Sequence, residues 1–344
     1  MKKYKAVSLM SGGLDSTLAT RMIMDQGIEV LGLYLSSPFG CHEDIVKVAD
    51  SLGVPLKIVE KGSDYLDLIR NPKYGYGKNM NPCIDCRIYM FQMAHVVMDE
   101  VGADFIVTGE VVGQRPMSQR KNAFDIIDRD SKMEDLILRP LSAKNLDPTK
   151  PEREGWVQRE KLLAIGGRGR TEQLAMADAL QLKHYSAPAG GCLLTDVNFS
   201  ERLASFFKTR PKGSMAEARL LRYGRYFDLT EDTFVLIGRN KDENEKLDEL
   251  SRDEVANGRM AFFRPNFSAP AAVLSGTLSE ALYEEVSQLI IRFSKKIPEG
   301  GTISLEIGKK TAARTPHLPM VPLPMVPSCT APTSAVIPLA VGAA

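Results

Sequence analysis

The sequence has almost no surplus of charge. Its 44 Lys and Arg residues are balanced by 43 Asp and Glu residues, which leaves a formal net charge of +1. A protein that holds nucleic acid through bulk charge carries a clear positive excess, so that class is excluded and any RNA contact must come from a local basic face. The hydrophobic content of 44% and the charged content of 25% are those of a soluble globular protein.

The sequence also lacks an apolar run long enough to span a bilayer, and its first residues enter a predicted strand without a signal peptide. Its five cysteines are an odd number with no secretory context. These features predict a chain in a reducing cytoplasm, with no membrane partner, whose thiols serve catalysis or metal binding. The 344 residues suffice for about two domains.

The most informative stretch is a Gly- and Ser-rich loop between a predicted strand and a predicted helix. Its residues are Ser11, Gly12, Gly13, Leu14, Asp15, Ser16 and Thr17. The unpaired N–H groups and the dipole of the helix N-terminus make this junction an anion site, and glycines let a phosphate approach the backbone closely. The carboxylate of Asp15 is expected to serve a Mg²⁺ ion beside the phosphates. The Gly-Lys-Ser/Thr ending of a Walker A loop is absent.

Residues 1 to about 110 alternate short apolar runs with stretches of helical spacing. The apolar runs lie at 4–10, 29–34, 55–59 and 104–108, and the longest predicted helix lies at 83–101. This alternation predicts an α/β fold with a doubly wound parallel sheet. Ligands of such sheets bind at the carboxyl ends of the strands, so Gly109 should lie beside the loop at Ser11. In the polar loop that follows, Arg115 or Gln114 is expected to contact ATP or the substrate base, with a solvated connection as the alternative.

Three cysteines form a candidate cluster-binding set. Cys83 and Cys86 open the longest predicted helix, and their i, i+3 spacing puts both thiols on one face. The N-terminus of a helix lowers the pKa of a thiol, which favours thiolates there. Cys192 lies in a Gly-rich loop that can fold back toward a ligand. Three thiolates are suited to hold three corners of a [4Fe–4S] cluster and to leave one iron open.

Other roles for these thiols remain open. A zinc site would need a fourth ligand, for which His95 and His184 are candidates. A redox pair, in which one cysteine carries a persulfide and another resolves it, needs only two thiols. Burial as a small apolar residue is the third alternative. No role is assigned to Cys41 or Cys329.

A change of character near residue 197 marks a second domain. The stretch from 198 to 226 is basic, and the segments after it alternate as strands and helices of a small α+β domain. The arginines of interest are Arg202, Arg219, Arg222 and Arg225. Such a stretch is the local patch that RNA binding requires, although charged residues of this kind also form ordinary solvated helix faces. After about Thr311 the chain is Pro-rich and uncharged, which predicts a disordered tail.

Several of these motifs resemble known families. The loop at Ser11 resembles the PP-loop (SGGxDS) of the ATP pyrophosphatases, and with the Cys-x-x-Cys helix and the later cysteine it resembles the PP-loop tRNA thiolation enzymes of the 4-thiouridine synthetase and 2-thiouridylase types. The three-cysteine pattern is similar to that of their iron–sulfur-dependent members. The sequence shows no pattern of the N-terminal THUMP-type RNA-binding domain, so we expect RNA to be held by another part of the chain. Gly238-Arg239-Asn240, followed by Asn244, is similar to the Gly-Arg-Asn…Asn pattern of NFACT-R RNA-binding domains.

The resemblance implies an ATP-dependent tRNA sulfurtransferase that adenylates a uridine carbonyl and replaces its oxygen with sulfur. ATP and Mg²⁺ would be bound by Ser11, Gly12, Gly13, Asp15, Ser16, Thr17, Gly109 and Arg115. Asp15, Cys83, Cys86 and Cys192 would be catalytic, and the three cysteines would bind a [4Fe–4S] cluster. The RNA contacts would be Arg202, Arg219, Arg222, Arg225, Arg239 and Asn240.

The implied organisation is a PP-loop domain at 1–197, an NFACT-R-like domain at 198–310 and a tail at 311–344. The partners would be tRNA and a sulfur donor, either a cysteine desulfurase product or free sulfide, and the oligomeric state stays open, a homodimer included. Two alternatives remain: a PP-loop ligase or amidase that acts on a small acceptor, and a non-catalytic RNA-binding protein.

Overall fold

The structure of the protein is a computed structural model that describes residues 3–40, 44–182, 184–185 and 192–314. Cys41, Cys329 and the tail from residue 315 lie outside the described residues. The N-terminal part consists of β1 (Lys5–Leu9), α1 (Leu14–Met24), β2 (Glu29–Ser36), α2 (Ile45–Leu52), β3 (Leu56–Glu60), α3 (Ser63–Arg70), α4 (Cys83–Val101), β4 (Phe105–Thr108), α5 (Lys121–Asp130), β5 (Ile137–Leu138), α6 (Lys150–Arg153) and α7 (Thr171–Ala179).

The five N-terminal strands form one parallel sheet in the order β3-β2-β1-β4-β5. Alternate residues of β1 point to opposite faces of the sheet, as the period of two in a strand requires. Ala6 packs in the core that contains α1, α2 and α7, whereas Val7 and Leu9 pack in the core that contains α4 and α5. Helices therefore cover both faces, and the predicted doubly wound α/β class is confirmed.

The C-terminal part is an α+β domain, as the sequence predicts. It consists of α8 (Val197–Thr209), α9 (Met215–Leu220), β6 (Arg225–Asp228), β7 (Phe234–Ile237), α10 (Lys241–Ala256), β8 (Met260–Pro265), β9 (Ala272–Ser275), α11 (Glu280–Arg292), β10 (Ile303–Ile307) and β11 (Lys310–Arg314). The sheet is antiparallel in the order β11-β10-β8-β9-β7-β6. Phe262 faces α10 and Phe263 faces α11, so this sheet is also packed on both faces. Strand β11 extends to Arg314, past the predicted boundary at 310.

The two parts share one hydrophobic core rather than a hydrated interface. Phe39 and Tyr65 of the N-terminal part pack in the same buried cluster as Phe199 and Phe206 of α8. The ring centroids of Phe39 and Phe199 lie 5.7 Å apart. A continuous apolar core fixes the orientation of its elements, because separating them exposes buried surface to water. No helix within the described ranges has the length and apolarity needed to cross a membrane.

Candidate nucleotide and thiol site

The loop after β1 folds back onto the first turn of α1. Gly12 has a φ of +75°, in the left-handed region that favours glycine. The backbone N–H of Ser11 donates to Ser16 Oγ at 3.2 Å, and Ser16 Oγ donates to the Gly13 carbonyl at 2.9 Å. The N-cap of α1 is Gly13, which has no side chain to occupy the first N–H groups of the helix. The loop is therefore closed internally and leaves those N–H groups for an anion.

Most of the predicted phosphate-binding residues line one pocket. Those residues are Ser11, Gly13, Asp15, Ser16, Gly109 and Arg115. Thr17 is an exception, because it is fully buried and its Oγ1 donates to the Gly13 carbonyl at 3.0 Å. The sequence predicts a phosphate contact for Thr17, but its hydroxyl is used within the helix, and Gly12 supplies the turn rather than the pocket wall.

Gly109 brings the end of β4 against the first turn of α1. An ideal Cβ at this position would lie 2.4 Å from the backbone N of Ser16 and 2.6 Å from the carbonyl oxygen of Asp15. Contacts this short do not occur with real side chains, and the obstructing atoms are backbone. Glycine is thus required at this position because the backbones of β4 and α1 approach each other closely. The sequence predicts only that Gly109, at the end of a strand, lies beside the loop at Ser11.

Asp15 has one oxygen engaged and one without a partner. Its Oδ2 accepts a hydrogen bond from Gln114 Nε2 at 2.7 Å and lies 3.6 Å from Arg170 Nη2. Its Oδ1 and the Gln114 Oε1 are buried and have no hydrogen-bond partner among the described residues. A carboxylate and an amide carbonyl are oxygen ligands of the kind that Mg²⁺ takes beside phosphates. These two side chains fit the expected metal ion.

Arg87, which the sequence analysis missed, also lines the pocket. Its Nε lies 3.3 Å from Glu110 Oε1, and Glu110 is almost fully buried. The other oxygen of Glu110 accepts from Arg139 Nε at 3.2 Å, and Arg139 also makes hydrogen bonds of 2.8 and 2.6 Å to both carboxylate oxygens of Asp128. This chain of charges holds the Arg87 cation at the pocket. Its position directly after Cys86 is the only sequence signal that could have indicated it.

The buried cation Arg139 offers a test of this network. Arg139→Met should lower the free energy of unfolding by about 3 kcal/mol, because it leaves the buried Glu110 carboxylate without its closest donor. Urea denaturation monitored by circular dichroism measures the change. Arg129→Met removes an arginine that is 59% exposed and paired with Asp130, so it should change stability by less than about 1 kcal/mol. Equal effects of the two substitutions would refute the buried network.

Two of the predicted catalytic thiols face the same pocket as Asp15. Cys86 and Cys192 line it, whereas Cys83 does not. All three cysteines are free thiols. Burial, followed by the charges of Cys86, Cys192 and Cys83, raises the pKa of Tyr65 well above its usual value. Of the three sulfur atoms, that of Cys86 lies 3.2 Å from the Tyr65 hydroxyl.

Cys86 has two donors that the sequence analysis did not identify. Lys61 Nζ lies 3.4 Å from Cys86 Sγ, and the hydroxyl of Tyr65 lies 3.2 Å from the same sulfur. Burial alone would raise the pKa of Cys86, but the charge of Lys61 and the hydrogen bond from Tyr65 outweigh it, so the pKa is lowered. Because Lys61 follows β3 and Tyr65 lies on α3, no local spacing connects them with Cys86.

The other two thiols are held in the neutral form. Burial raises the pKa of Cys192 to about 12, and burial with the nearby Cys86 raises the pKa of Cys83. The expectation that the helix N-terminus makes Cys83 a thiolate is wrong, because desolvation of this thiol exceeds the effect of the helix and of Arg87. The site thus combines one thiol whose pKa is lowered with two whose pKa is raised.

The described part of the chain contains no group of three Cys, His, Asp or Glu side chains placed to hold a metal ion. His95 lies 3.6 Å from Asp99 on the same helix and joins no such group within the described residues. Cys86 contacts Tyr65, but the three cysteines do not form a metal-binding group among the described residues. The [4Fe–4S] cluster bound by Cys83, Cys86 and Cys192 stays a prediction.

The predicted RNA-binding arginines do not form one continuous basic face. Arg202 is partly buried and donates to the Gly224 carbonyl at 3.1 Å. Arg219 pairs with Glu60 at the end of β3. The charge of these residues suggested an RNA contact. In the structure, Arg202 instead stabilises the C-terminal part, and Arg219 joins that part to the N-terminal sheet.

The remaining candidates of this group also have partners, with one exception. Arg225 packs over the Phe293 ring at 4.8 Å, and Arg239 Nε donates to Glu243 Oε1 at 2.9 Å. Asn240 is the N-cap of α10, and its side chain accepts from the Glu243 N–H at 2.9 Å. Arg222 is exposed.

The Gly-Arg-Asn pattern has a structural basis at its first position. A Cβ at Gly238 would lie 2.0 Å from Asn244 Oδ1. That oxygen accepts from the Ala271 N–H at 3.1 Å, and the N–H of Gly238 donates to the Ala271 carbonyl at 3.0 Å. Gly238 and Asn244 therefore join β7 and α10 to the segment before β9, which explains their spacing.

Comparison with known proteins gives matches in both parts of the chain. Residues 2–147 match the family described as "Thiamine biosynthesis protein (ThiI)", and residues 224–325 match the family described as "NFACT protein RNA binding domain". The tRNA-specific 2-thiouridylase MnmA of Listeria welshimeri is 22% identical over 219 residues, which cover 59% of this chain and 56% of that protein. MnmA of Syntrophotalea carbinolica is 35% identical over 114 residues, 29% of this chain and 32% of that protein.

The chain spans about half the length of the first of these curated relatives. Among solved structures, a 4-thiouridine synthetase–RNA complex with bound ATP overlaps 58% of this chain and 50% of its own, with 21% identity and a TM-score of 0.35. Residues 2–147 are thus similar to the ThiI family and residues 224–325 are similar to the NFACT RNA-binding domains, in agreement with the two resemblances that the sequence motifs indicate.

Proposed function

We propose that the protein is an ATP-dependent tRNA sulfurtransferase that adenylates a uridine carbonyl and replaces the oxygen with sulfur. The observation that carries this proposal is a single cavity of about 310 Å³ lined by Asp15 of the PP-loop and by the thiols of Cys86 and Cys192. The similarity to ThiI and to 2-thiouridylases supports ATP and tRNA as substrates. A ligase that acts on a small carboxylate needs no thiol at this place.

The activating half of the reaction uses the PP-loop side of the pocket. A uridine carbonyl oxygen is a poor leaving group, and transfer of AMP to it creates a good one. The N–H groups at the start of α1, with Arg87, Arg115 and Arg170 on the pocket wall, would stabilise the charge that develops on the departing pyrophosphate. Asp15 and Gln114 would hold a Mg²⁺ ion, which would supply further charge neutralisation there.

The sulfur half of the reaction would use Cys86 and Cys192, which line the same pocket. The persulfide product of a cysteine desulfurase would transfer its outer sulfur to one pocket cysteine, so that this cysteine becomes a persulfide and the donor departs as a thiol. Free sulfide, which has no oxidant here, would serve only the cluster route described below. The outer sulfur attacks the activated carbon and AMP departs. The second cysteine then attacks the inner sulfur, which releases the thiolated base and leaves a Cys86–Cys192 disulfide for a dithiol reductant to reopen. Lys61 and Tyr65 contact Cys86 Sγ and would favour its thiolate in this exchange.

The cluster route uses the same residues. Cys83, Cys86 and Cys192 would hold a [4Fe–4S] cluster, and its open iron would supply bound sulfide. The content of iron and acid-labile sulfide in anaerobically purified protein distinguishes the two routes. About four of each per chain assigns the cluster route. Active protein that holds neither after reconstitution assigns the persulfide route.

The test of the function itself is product analysis. Unmodified tRNA transcript incubated with ATP, Mg²⁺, a dithiol reductant and a sulfur donor, in one arm sulfide and in the other a cysteine desulfurase with cysteine, should yield thiouridine and an equal amount of AMP in at least one arm, measured by nucleoside mass spectrometry and chromatography. Thiouridine should disappear when ATP is omitted. AMP formation that responds to small carboxylates or amines, with no thiouridine in any tRNA, would instead support the ligase alternative.

A further inference from the structure

A groove in the C-terminal domain lies outside the site described above. It runs between α10 and the outer strands β8, β10 and β11. Phe262, Glu306 and Thr311 are register partners on these three strands, so their side chains share one face of the sheet. Helix α10 packs on Phe262 but leaves the polar residues of β10 and β11 beside it open.

Arg264 forms a rigid, flat surface in this groove. Its guanidinium lies 4.8 Å from the centre of the Phe262 ring, donates from Nε to Glu306 Oε1 at 2.9 Å and donates from Nη2 to Asp248 Oδ1 at 2.9 Å. Two carboxylates and a ring thus fix the plane of the guanidinium, while the side chain remains 49% exposed. A guanidinium held in this way can stack on a nucleobase with little loss of side-chain entropy.

The groove also holds an unused hydrogen-bonding group and exposed cations. Ser251 of α10 is fully buried, lines the groove, and its Oγ has no hydrogen-bond partner among the described residues. Such groups normally have a partner, so this hydroxyl is available to a polar ligand atom that enters the groove. Arg252 and Lys309 are exposed at the rim, where a phosphate could reach them.

We propose that this groove binds one unpaired RNA nucleotide, with its base stacked on the Arg264 guanidinium, a polar group of the nucleotide on Ser251 Oγ, and its phosphate near Lys309. The carboxylates of Asp248 and Glu306 are both engaged by Arg264, so they do not repel the phosphate as free charges would. The match of residues 224–325 to an RNA-binding family favours RNA over a peptide as the occupant. The inference rests on the RNA-binding part of the proposed function and not on its sulfur chemistry.

Fluorescence anisotropy with the full-length protein tests the stacking. The probes are a labelled ten-nucleotide oligouridine and a ribose-phosphate oligomer of the same length that lacks bases. The wild type should bind the oligouridine about 10-fold more tightly, because stacking of one base is worth this much. Arg264→Ala and Arg264→Lys should both abolish the preference, since lysine keeps the charge but not the plane. Lys309→Ala should weaken binding of both probes equally.

A matched control is Arg259→Ala, because Arg259 also pairs with a carboxylate of α10, Glu254, but does not line the groove. This variant should keep the preference for bases. Ser251→Ala removes the unpaired hydroxyl without creating a buried charge, so it should remain folded and bind oligouridine a few-fold more weakly. ATP–pyrophosphate exchange should be unchanged in every groove variant, which separates a local effect from misfolding.

Equal affinity of the wild type for both probes, no measurable binding of oligouridine, or a full preference retained in Arg264→Lys would overturn the proposal. If the base preference depends on Arg264 but the protein makes no thiouridine, the groove proposal is supported and the sulfurtransferase proposal is refuted. Thiouridine formation by a protein whose base preference does not depend on Arg264 would support the sulfurtransferase and overturn the proposed groove site.

Discussion

Gly109→Ala should abolish ATP activation, with a loss of about 100-fold or more in the rate of ATP–pyrophosphate exchange. A methyl group at this position would lie 2.4 Å from the backbone N of Ser16, so the first turn of α1 or the end of β4 must move. The N–H groups of that turn and the Asp15 carboxylate define where the phosphates lie. A displacement of about 1 Å in a positioning element can cost about 100-fold in rate.

Gly169→Ala is the matched control, because an added Cβ there meets no atom within 4 Å. It lies in the Gly-rich connector next to Arg170 and should exchange pyrophosphate at the wild-type rate. Exchange should be measured with labelled pyrophosphate alongside thermal melts of both variants. A folded Gly109→Ala protein with wild-type exchange would show that the close approach of β4 to α1 has no part in nucleotide binding.

Lys61→Met should reduce thiouridine formation by about 10- to 100-fold while leaving ATP–pyrophosphate exchange intact. Lys61 is buried, and its Nζ is 3.4 Å from Cys86 Sγ. Without the ammonium, desolvation of Cys86 is no longer outweighed, so the pKa of the thiol rises and less thiolate exists at pH 7. In Lys61→Met, the rate of Cys86 alkylation by iodoacetamide at pH 7 should fall by the same 10- to 100-fold, and it should recover as the pH is raised.

Lys57→Met serves as the control, since Lys57 lies on β3 but is partly exposed and pairs with Glu100, which lies at the opposite end of α4 from Cys86. Its alkylation and thiolation rates should match those of the wild type. If Lys61→Met alkylates normally at pH 7, or if it loses pyrophosphate exchange rather than sulfur transfer, Lys61 belongs to the nucleotide half of the site and not to the thiol half.

The parts of the fold that the sequence predicts correctly are those fixed by short stretches. The PP-loop, the strands around it and the Cys-x-x-Cys helix are each encoded by contiguous residues, and the parallel sheet follows from their alternation. Lys61 and Tyr65 could not be predicted, because a different strand and helix bring them to Cys86. The state of Cys83 was mispredicted since burial, which dominates its pKa, depends on tertiary packing.

The RNA-binding face shows a related limit. The arginines between 198 and 226 are close in sequence, but they contact different parts of the structure and do not form one basic face. Arg219 pairs with Glu60 of the N-terminal part, and Arg202 donates hydrogen bonds to the backbone carbonyls of Leu221 and Gly224. A basic run indicates an RNA surface only where its cations have no acidic partner within the protein, and of the four arginines predicted in this run Arg222 is the exposed one.

The most direct measurement of whether nucleotide activation and sulfur transfer share one pocket is the product balance of Cys192→Ser. With unmodified tRNA, this variant should still release pyrophosphate in a tRNA-dependent manner but form no detectable thiouridine, whereas Asp15→Asn should lose both. Thiouridine at the wild-type level from Cys192→Ser would contradict a sulfur-transfer role for the thiols that line the pocket of Asp15.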